Sequence, residues 1–271
     1  MPNNTSAATA PSEDHGPLRL NPHQVEKPWG RTEIPSVFGS TNGKRIGEIW
    51  FEHPEARELP LLVKYIFTSE KLSIQVHPSD DQARARGLPR GKSECWYILD
   101  ADPDATLGLG LKREVAADEL RVAALDGSIE QLIDWRPVRA GDFFMVPAGT
   151  IHAVGAGISL LEFQQNSDVT YRLYDYGRPR ELHLDDGIAV ARAEPYPDAL
   201  AQHLGRSEFR TLVDGPQFIL AHADGDILED RERWVIPLEG KVGDALPGDC
   251  LLLQPGERAG TDGRMLIGAT V

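Results

Sequence analysis

The sequence contains few of the features that mark disulfide-rich or membrane-embedded proteins. Only two cysteines, Cys95 and Cys250, occur among 271 residues, each within an apolar segment. We expect both to be reduced core residues, because two cysteines do not make a disulfide framework. No stretch approaches the roughly 20 apolar residues of a membrane span, and the first residues lack the basic and then apolar order of a secretion signal. These features predict a cytoplasmic protein with no membrane partner.

Positive charge is also scarce. The chain has 28 Lys and Arg residues against 42 Asp and Glu residues, a formal net charge of −14. Such a chain repels nucleic-acid phosphates, and no dense run of Lys and Arg offsets the repulsion locally. Nucleic acid is therefore not an expected partner. A phosphorylated small molecule stays possible, because a few Lys and Arg side chains that converge in a pocket can bind it despite the overall charge.

The composition that is present, 41% hydrophobic and 26% charged residues, is that of an ordinary globular protein. Residues 1–16 hold almost no large apolar side chains and are predicted to form a disordered tail. Over 17–190, short apolar runs alternate with Pro, Gly and Asp turns. This pattern favours an antiparallel β sandwich or barrel, and we expect one domain over this range.

One interruption of the strand pattern, at about 112–134, has helical spacing. Leu120, Ala123 and Ala124 recur at the spacing of one helix face, and Ser128 begins a capping-box sequence that predicts a second short helix. A domain boundary is expected near the Glu-Pro-Tyr-Pro segment, which precedes a polar stretch. Residues 191–271 again read as short strands, and we predict a second, smaller β domain there.

The two β regions share one segment, since 140–149 aligns without gaps on 247–256. A degenerate internal repeat would explain the match, although Gly-Asp turns before apolar strands are common in β proteins. The same alignment puts Ala259 where the first region has His152. We therefore predict that the second domain has no metal site.

Three segments carry polar side chains in a pattern that could bind a metal ion. In the first, strand alternation places Gln75 and His77 on one face. In the second, alternation places Glu94 beside bulky apolar neighbours, where a carboxylate needs a partner. The third is a strand and a tight Pro-x-Gly turn that ends on His152. Each residue alone has an ordinary explanation as a hydrogen-bonded or solvated side chain.

Together these four side chains offer two imidazoles, one carboxylate and one amide oxygen, a set that suits a zinc-class divalent ion. The segment that ends on His152 resembles the second cupin motif, except that Ala156 stands where that motif normally has Asn. The segments 72–78, 91–98 and 146–152 resemble the metal-site blocks of type I mannose-6-phosphate isomerases. That resemblance implies a cupin (jelly-roll) barrel, zinc, and ligands at Gln75, His77, Glu94 and His152.

A fourth block, 166–175, resembles the segment that carries the catalytic arginine of that family, here Arg172. Lys64 and Lys92 lie in matching blocks, where they could bind phosphate or substrate hydroxyls; solvated lysines are the alternative. The similarity runs in order from about Lys27 to Asp186. It departs at Arg31, where the family often has a second glycine after Trp-Gly, and in the short C-terminal domain.

The resemblance implies an enzyme that interconverts mannose 6-phosphate and fructose 6-phosphate through an enediol. A divalent ion would act as a Lewis acid, and Arg172 would stabilise the charge that develops on the substrate oxygens. The general base, the exact sugar and the oligomeric state stay open.

Two other classes of protein share part of this pattern. A non-haem iron oxygenase keeps positions open for oxygen, and Gln75 would fill one of them. A non-catalytic sugar-binding cupin would bind metal without turnover, and the missing histidine of the second domain gives this class some weight. The complete ligand set together with Arg172 favours the isomerase.

Overall fold

The computed structural model describes residues 16–206, 210–225, 228 and 230–271. All of the tail predicted at 1–16 except Gly16 therefore lies outside the described residues. Within the described part, strands dominate and the few helices are short. The predicted mainly β architecture with a small helical insert is confirmed.

The described strands form three main sheets. The central sheet has, in spatial order, the strands β13 (Ala201–His203), β9 (Asp142–Val146), β6 (Glu94–Ala101), β11 (Ile158–Gln165), β4 (Leu61–Phe67), β3 (Ile46–Glu52) and β2 (Asn21–Arg31). The site sheet has β12 (Tyr171–Tyr174), β5 (Ile74–Val76), β10 (His152–Val154), β7 (Thr106–Leu111) and β8 (Ile133–Pro137).

The C-terminal sheet has, in spatial order, β1 (Leu18–Arg19), β18 (Leu251–Leu253), β16 (Arg233–Pro237), β20 (Met265–Ala269), β15 (Ile219–Ala223) and β14 (Arg210–Asp214). A small ribbon pairs β17 (Lys241–Val242) with β19 (Thr261–Asp262). The α-helices are α1 (Asp80–Arg84), α2 (Ala117–Asp126), α3 (Ile129–Leu132) and α4 (Leu184–Val190), and 3-10 turns cover Ser36–Phe38 and Asp198–Leu200.

The central sheet is buried on both faces. Along β6, Trp96 and Ile98 belong to one apolar cluster with residues of the site sheet, whereas Cys95 and Tyr97 belong to another with residues of the C-terminal sheet. Side chains alternate across a strand, so the central sheet must lie between the other two. This explains why every residue of β4 is buried.

The helical insert covers the outer face of the site sheet. Ile74 of β5 and both Tyr171 and Leu173 of β12 pack in one apolar cluster with Leu120 of α2. The intervening side chains of the site sheet therefore point inward, toward the central sheet.

The predicted helix pair is confirmed as α2 and α3, but the predicted capping box at Ser128 is wrong. Ser128 has φ −66° and ψ −9°, a helical conformation, and its side chain makes no capping hydrogen bond. A capping residue needs an extended backbone. Here Gly127, at φ 84°, ends α2, and the Asp126 carboxylate accepts a hydrogen bond of 2.8 Å from the Ser128 backbone N–H.

Strand pairing crosses the predicted boundary at 190/191 in both directions. The N-terminal β1 pairs with β18, and β13, which follows the boundary, pairs with β9 of the central sheet. The division into 17–190 and 191–271 therefore stays a prediction. These pairings and the apolar cluster that the central and C-terminal sheets share hold the two halves together.

The two aligned segments adopt the same turn. Gly141 and Gly248 both have positive φ, 91° and 106°. The aspartate that follows each one, Asp142 or Asp249, accepts a hydrogen bond from the backbone N–H three residues earlier, at 2.9 Å and 2.8 Å respectively. This shared geometry supports the internal repeat. Ala259, aligned with the histidine, is buried in an apolar cluster.

Candidate metal centre and cavity

Three buried side chains meet between the site sheet and the central sheet. His77 follows β5, Glu94 begins β6, and His152 begins β10. Their potential ligand atoms all lie within 4.8 Å of one another. His77 Nε2 is 3.5 Å from Glu94 Oε2, and His152 Nε2 is 3.4 Å from Glu94 Oε1. The structure therefore brings together three of the four predicted ligands.

Backbone carbonyls fix the orientation of both imidazoles. His77 Nδ1 lies 2.8 Å from Val169 O, and His152 Nδ1 lies 2.9 Å from Thr150 O. A carbonyl oxygen only accepts, so each Nδ1 carries the hydrogen and each Nε2 presents a lone pair to Glu94. Burial lowers the pKa of His152 to about 4. Burial and the nearby Lys92 ammonium hold the pKa of His77 well below its usual value. Both rings are thus neutral at neutral pH, as metal ligation requires.

This donor set fits a divalent cation. Glu94 Oε1 is buried and has no hydrogen-bond partner within the described part of the chain. The lone pair of His152 Nε2 faces it, so two electron-rich atoms confront each other without a proton between them. A cation satisfies both atoms, and two imidazoles with one carboxylate are typical zinc ligands.

Gln75 adjoins the cluster. It lies directly opposite His152 in the pairing of β10 with β5. Its Nε2 is 3.2 Å from His152 Nε2, and its Oε1 accepts a hydrogen bond of 3.0 Å from the Ser73 hydroxyl. Rotation of the amide by 180° exchanges its oxygen and nitrogen, and the Ser73 hydroxyl can then accept instead. Gln75 is therefore positioned to supply an amide oxygen as a fourth ligand.

Lys92 is buried beside the same cluster. Its Nζ is 2.6 Å from Glu94 Oε2 and 3.2 Å from His77 Nε2. Burial alone would lower the pKa of Lys92, but the carboxylates of Glu162 and Glu94 raise it above its usual value. Burial in turn raises the pKa of Glu94, with Lys92 opposing the shift. Lys92 is thus not the solvated lysine that the sequence left as an alternative.

Lys64 belongs to a row of side chains on the central sheet. Strand register aligns Trp50, Lys64, Glu162 and Trp96 across four adjacent strands. Lys64 Nζ lies 3.4 Å from Glu162 Oε2 and 4.6 Å from the Trp50 ring centroid, and Trp96 Nε1 donates to Glu162 Oε1 at 3.0 Å. Burial would raise the pKa of Glu162, but the Lys92 and Lys64 ammonium groups outweigh it and lower that pKa. This row therefore presents an ionised pair.

Arg172 belongs to a matching row on the site sheet. His152 pairs with Gln75, and Gln75 pairs with Arg172, so these three side chains project from the same face. The Arg172 Nε–H donates to Glu181 O at 3.0 Å. Burial and the positive charge of Arg180 lower the pKa of Arg172. The apolar residues on either side, Tyr171 and Leu173, pack against the helices, so Arg172 points inward and lines the cavity.

A cavity of about 380 Å3 separates the two rows. Its volume is in the range of small-molecule sites. The cavity adjoins the His77, Glu94 and His152 cluster, since Lys92 lines the cavity and contacts both His77 and Glu94. The charged and polar lining residues are Lys27, Glu48, Lys64, Ser73, Gln75, Lys92, Glu162, Asp168, Thr170, Arg172, Arg180 and His183.

Several of these lining residues were not predicted from the sequence. Glu162 could have been found, because it is an acidic residue between the bulky apolar residues Leu161 and Phe163, a signal like the one that drew attention to Glu94. Glu48 binds the Lys27 ammonium at 3.2 Å and accepts from Trp50 Nε1 at 2.6 Å. Arg180 lies on the loop after β12, where no periodic pattern marks the direction of a side chain.

Comparison with known proteins places the chain among the mannose-6-phosphate isomerases. No family model matches it. The mannose-6-phosphate isomerase of Streptococcus mutans serotype c is 40% identical over 243 residues, which cover 74% of this chain and 77% of the relative. The mannose-6-phosphate isomerase ManA of Bacillus subtilis is 40% identical over 178 residues, and the match covers 61% of this chain and 56% of ManA.

Solved structures agree with this likeness. The crystal structure of the mannose 6-phosphate isomerase from Bacillus subtilis superposes with a TM-score of 0.78 at 28% identity and covers 94% of this chain and 100% of that one. A mannose 6-phosphate isomerase bound with zinc and yttrium superposes with a TM-score of 0.71 at 15% identity, covering 94% of this chain and 100% of that one, and shares the fold. The predicted cupin fold is confirmed.

Proposed function

The chain belongs to the mannose-6-phosphate isomerase family, and we propose that it interconverts mannose 6-phosphate and fructose 6-phosphate in the cavity beside His77, Glu94 and His152. It is an aldose–ketose isomerase, so the reaction moves a proton between C1 and C2 of the sugar. The observation that carries the proposal is the connection of a buried His-Glu-His cluster to a polar cavity through Lys92 and Gln75.

We propose zinc as the divalent ion, with Gln75, His77, Glu94 and His152 as its ligands. When bound, zinc would supply Lewis-acid stabilisation of the negative charge on the substrate oxygens. The protein prepares the site by keeping both imidazoles neutral and by holding each Nε2 toward Glu94 through a carbonyl hydrogen bond.

Three cationic side chains complete the proposed site. Arg172 projects from the same sheet face as Gln75 and stabilises the enediol oxygens as their charge develops. Lys64 and Lys92 are both held by buried carboxylates beside the ligand cluster. Their ammonium groups therefore lie next to the reacting end of the sugar, and we assign them to substrate hydroxyls rather than to phosphate. Because they are fixed before substrate binds, little reorganisation accompanies the reaction.

The same proposal covers the organisation of the chain. We take 17–190 as the metal-binding domain and 191–271 as a degenerate β domain without a metal site. None of the helices in the described ranges is long and apolar enough to span a membrane. The cytoplasmic location expected from the sequence stays part of the proposal.

A coupled assay tests the proposal. Fructose 6-phosphate formed from mannose 6-phosphate is measured with the purified full-length chain, after chelation and dialysis, and again after stoichiometric zinc is restored. We expect activity to disappear on chelation and to return with the metal. Turnover that persists in a protein shown by elemental analysis to be free of metal would refute the metal role. Absence of turnover in the zinc-loaded protein would refute the function.

A further inference from the structure

A buried carboxylate holds two arginines on the loop that follows β12. Asp175 has a relative exposure of only 2%. Arg180 binds it through two parallel hydrogen bonds, Nε to Oδ2 at 2.6 Å and Nη2 to Oδ1 at 2.7 Å. Arg178 donates from Nη2 to Asp175 Oδ1 at 2.7 Å and to Lys71 O at 2.8 Å. Such two-point pairing fixes the plane of the Arg180 guanidinium.

The two arginines differ in where they point. Arg180 lines the cavity together with Arg172 and His183. The Arg178 guanidinium lies 5.4 Å from the Tyr176 ring centroid and is not part of the cavity lining within the described chain. Asp175 engages only the Nε and Nη2 edge of Arg180, so the Nη1 group remains on the opposite side of the fork. Arg178 is therefore a matched control for the role of Arg180.

Three donors converge at this end of the cavity. The backbone N–H of Arg172 donates to His183 Nδ1 at 3.3 Å, so Nε2 of the neutral His183 ring carries the hydrogen. That Nε2 is 3.9 Å from the Glu181 carboxylate, beyond hydrogen-bond distance. Burial and then the charge of Arg172 lower the pKa of His183, and burial and then the charge of Arg180 lower the pKa of Arg172. The Arg172 and Arg180 guanidinium groups line the same cavity, and two like charges that repel each other favour an anion between them.

The position of these donors suits the far end of a sugar phosphate. The row from His152 through Gln75 to Arg172 crosses two strand spacings, ~10 Å in all. Arg180 and His183 lie beyond it on the loop that follows β12. A ligand with its reacting carbons near the metal ligands and its phosphate at the other end spans this distance along the cavity.

We propose that Arg180 and His183 bind the phosphate of a phosphate monoester substrate, and that Asp175 is a positioning residue that holds Arg180 in place for this contact. The assignment rests on the proposed function, since it identifies the anion-binding end of the same cavity. Asp168, which also lines the cavity, adds a carboxylate but does not pair with Arg180 among the contacts of the described chain.

The first test compares Arg180→Met with Arg178→Met in the zinc-loaded full-length enzyme. Calorimetry measures the Kd of inorganic phosphate, and kinetics measures kcat and KM for mannose 6-phosphate. Loss of one charge-assisted contact weakens phosphate binding and raises KM about 10- to 100-fold in Arg180→Met, with kcat nearly unchanged. Arg178→Met stays within about twofold of the parent. Equal effects in the two variants, or an unchanged Kd in Arg180→Met, would overturn the assignment.

The second test addresses Asp175. Asp175→Asn lowers Tm, because two arginines lose a buried partner, but a purely structural role would leave KM unchanged. We expect KM to rise as in Arg180→Met, and the double variant to show no further rise, since both changes remove one unit. If Asp175→Asn does not fold, Asp175→Glu keeps the charge and displaces the carboxylate by one methylene, and it must also raise KM. An unchanged KM, or additive effects in the double variant, refutes the positioning role.

The phosphate calorimetry separates this inference from the proposed function. If the parent enzyme lacks isomerase activity but binds phosphate, and only Arg180→Met weakens that binding, the function fails and the anion site stands. If the parent isomerises mannose 6-phosphate and Arg180→Met leaves Kd and KM unchanged, the function stands and the anion site fails.

Discussion

Replacement of Arg172 should cut turnover while leaving the fold and the metal content intact. Both Arg172→Ala and Arg172→Lys leave Tyr171 and Leu173, which anchor β12 in the apolar cluster under the helices. Within the described chain, Arg172 forms no ion pair with a carboxylate. Asp175, three residues further along the chain, binds two other arginines. Nothing in the packing therefore requires this guanidinium.

The expected loss of stability and the expected loss of turnover differ in magnitude. Among the described residues, the side chain of Arg172 donates one hydrogen bond, to Glu181 O at 3.0 Å. Its loss lowers the free energy of unfolding by about 1 kcal/mol. Loss of a preorganised donor to the developing charge raises the barrier by about 2.7–4 kcal/mol, or ~10²–10³ in kcat. Lysine fails as well, because an ammonium cannot present a planar fork to two neighbouring oxygens.

The assay combines kcat for mannose 6-phosphate with Tm and elemental zinc analysis of the same preparations. Arg113→Lys is the control, since Arg113 forms an exposed ion pair with Glu119 and is not among the described residues that line the cavity. We expect stable, zinc-loaded Arg172 variants with kcat at least 100-fold below the parent, and a control with parental kcat. Arg172 variants that lose Tm but keep most of their activity per folded molecule would remove Arg172 from the catalytic assignment.

Four further outcomes follow from the same contacts. His77→Ala and His152→Ala should each lose zinc on dialysis, and full occupancy by elemental analysis in either one would contradict the ligand assignment. Glu162→Gln leaves the buried Lys64 uncompensated and should lower the free energy of unfolding in urea by about 3–5 kcal/mol; a change below about 1 kcal/mol would show that the pair contributes little. The folded-state pKa of His152, about 4, lies below its unfolded value of about 6.5. Its contribution to stability is therefore present above pH ~6.5 and is lost as pH falls toward 4. In urea titrations the free energy of unfolding of the metal-free enzyme should fall by about 3 kcal/mol over that range, and a flat profile would contradict the shift. Truncation after Val190 should give insoluble protein, because it exposes the face of the central sheet that packs on the C-terminal sheet. A soluble, zinc-loaded and active product would show that the C-terminal domain is dispensable.

Strand alternation was enough to predict the direction of the main site residues. Gln75 is flanked by Ile74 and Val76, and both neighbours pack against the helices. Glu94 likewise shares its strand face with residues that point toward the site sheet. Side chains alternate between the two faces of a strand, so large apolar neighbours mark the face that packs in the core and leave the intervening polar side chains on the other face. The predicted ligand residues on separate strands could therefore be grouped before the distances between them were known.

The partners of the buried charges could not be predicted in the same way. Glu162 meets Lys64 because β11 and β4 are neighbours in the central sheet, which local sequence does not specify. Lys92 precedes β6, and only the fold shows that its ammonium reaches Glu94. The capping-box prediction failed for a related reason, since Ser128 follows a left-handed glycine that closes the preceding helix within one residue. Long-range register and short connections override such local patterns.

The cavity explains how an acidic chain can accept a phosphorylated substrate. The chain carries a formal charge of −14, but screening confines each surface charge to ~8 Å at physiological ionic strength. A ligand inside the cavity therefore responds mainly to the groups that line it. Those interactions are screened by salt and water less than interactions at the surface. Five lining residues are cationic and three are carboxylates: Lys27, Lys64, Lys92, Arg172 and Arg180 against Glu48, Glu162 and Asp168. Two of these carboxylates already form ion pairs with lysines, Glu48 with Lys27 and Glu162 with Lys64. Asp175 holds Arg180 from outside the cavity. The end of the cavity that Arg172 and Arg180 line thus keeps positive charge available for an anion.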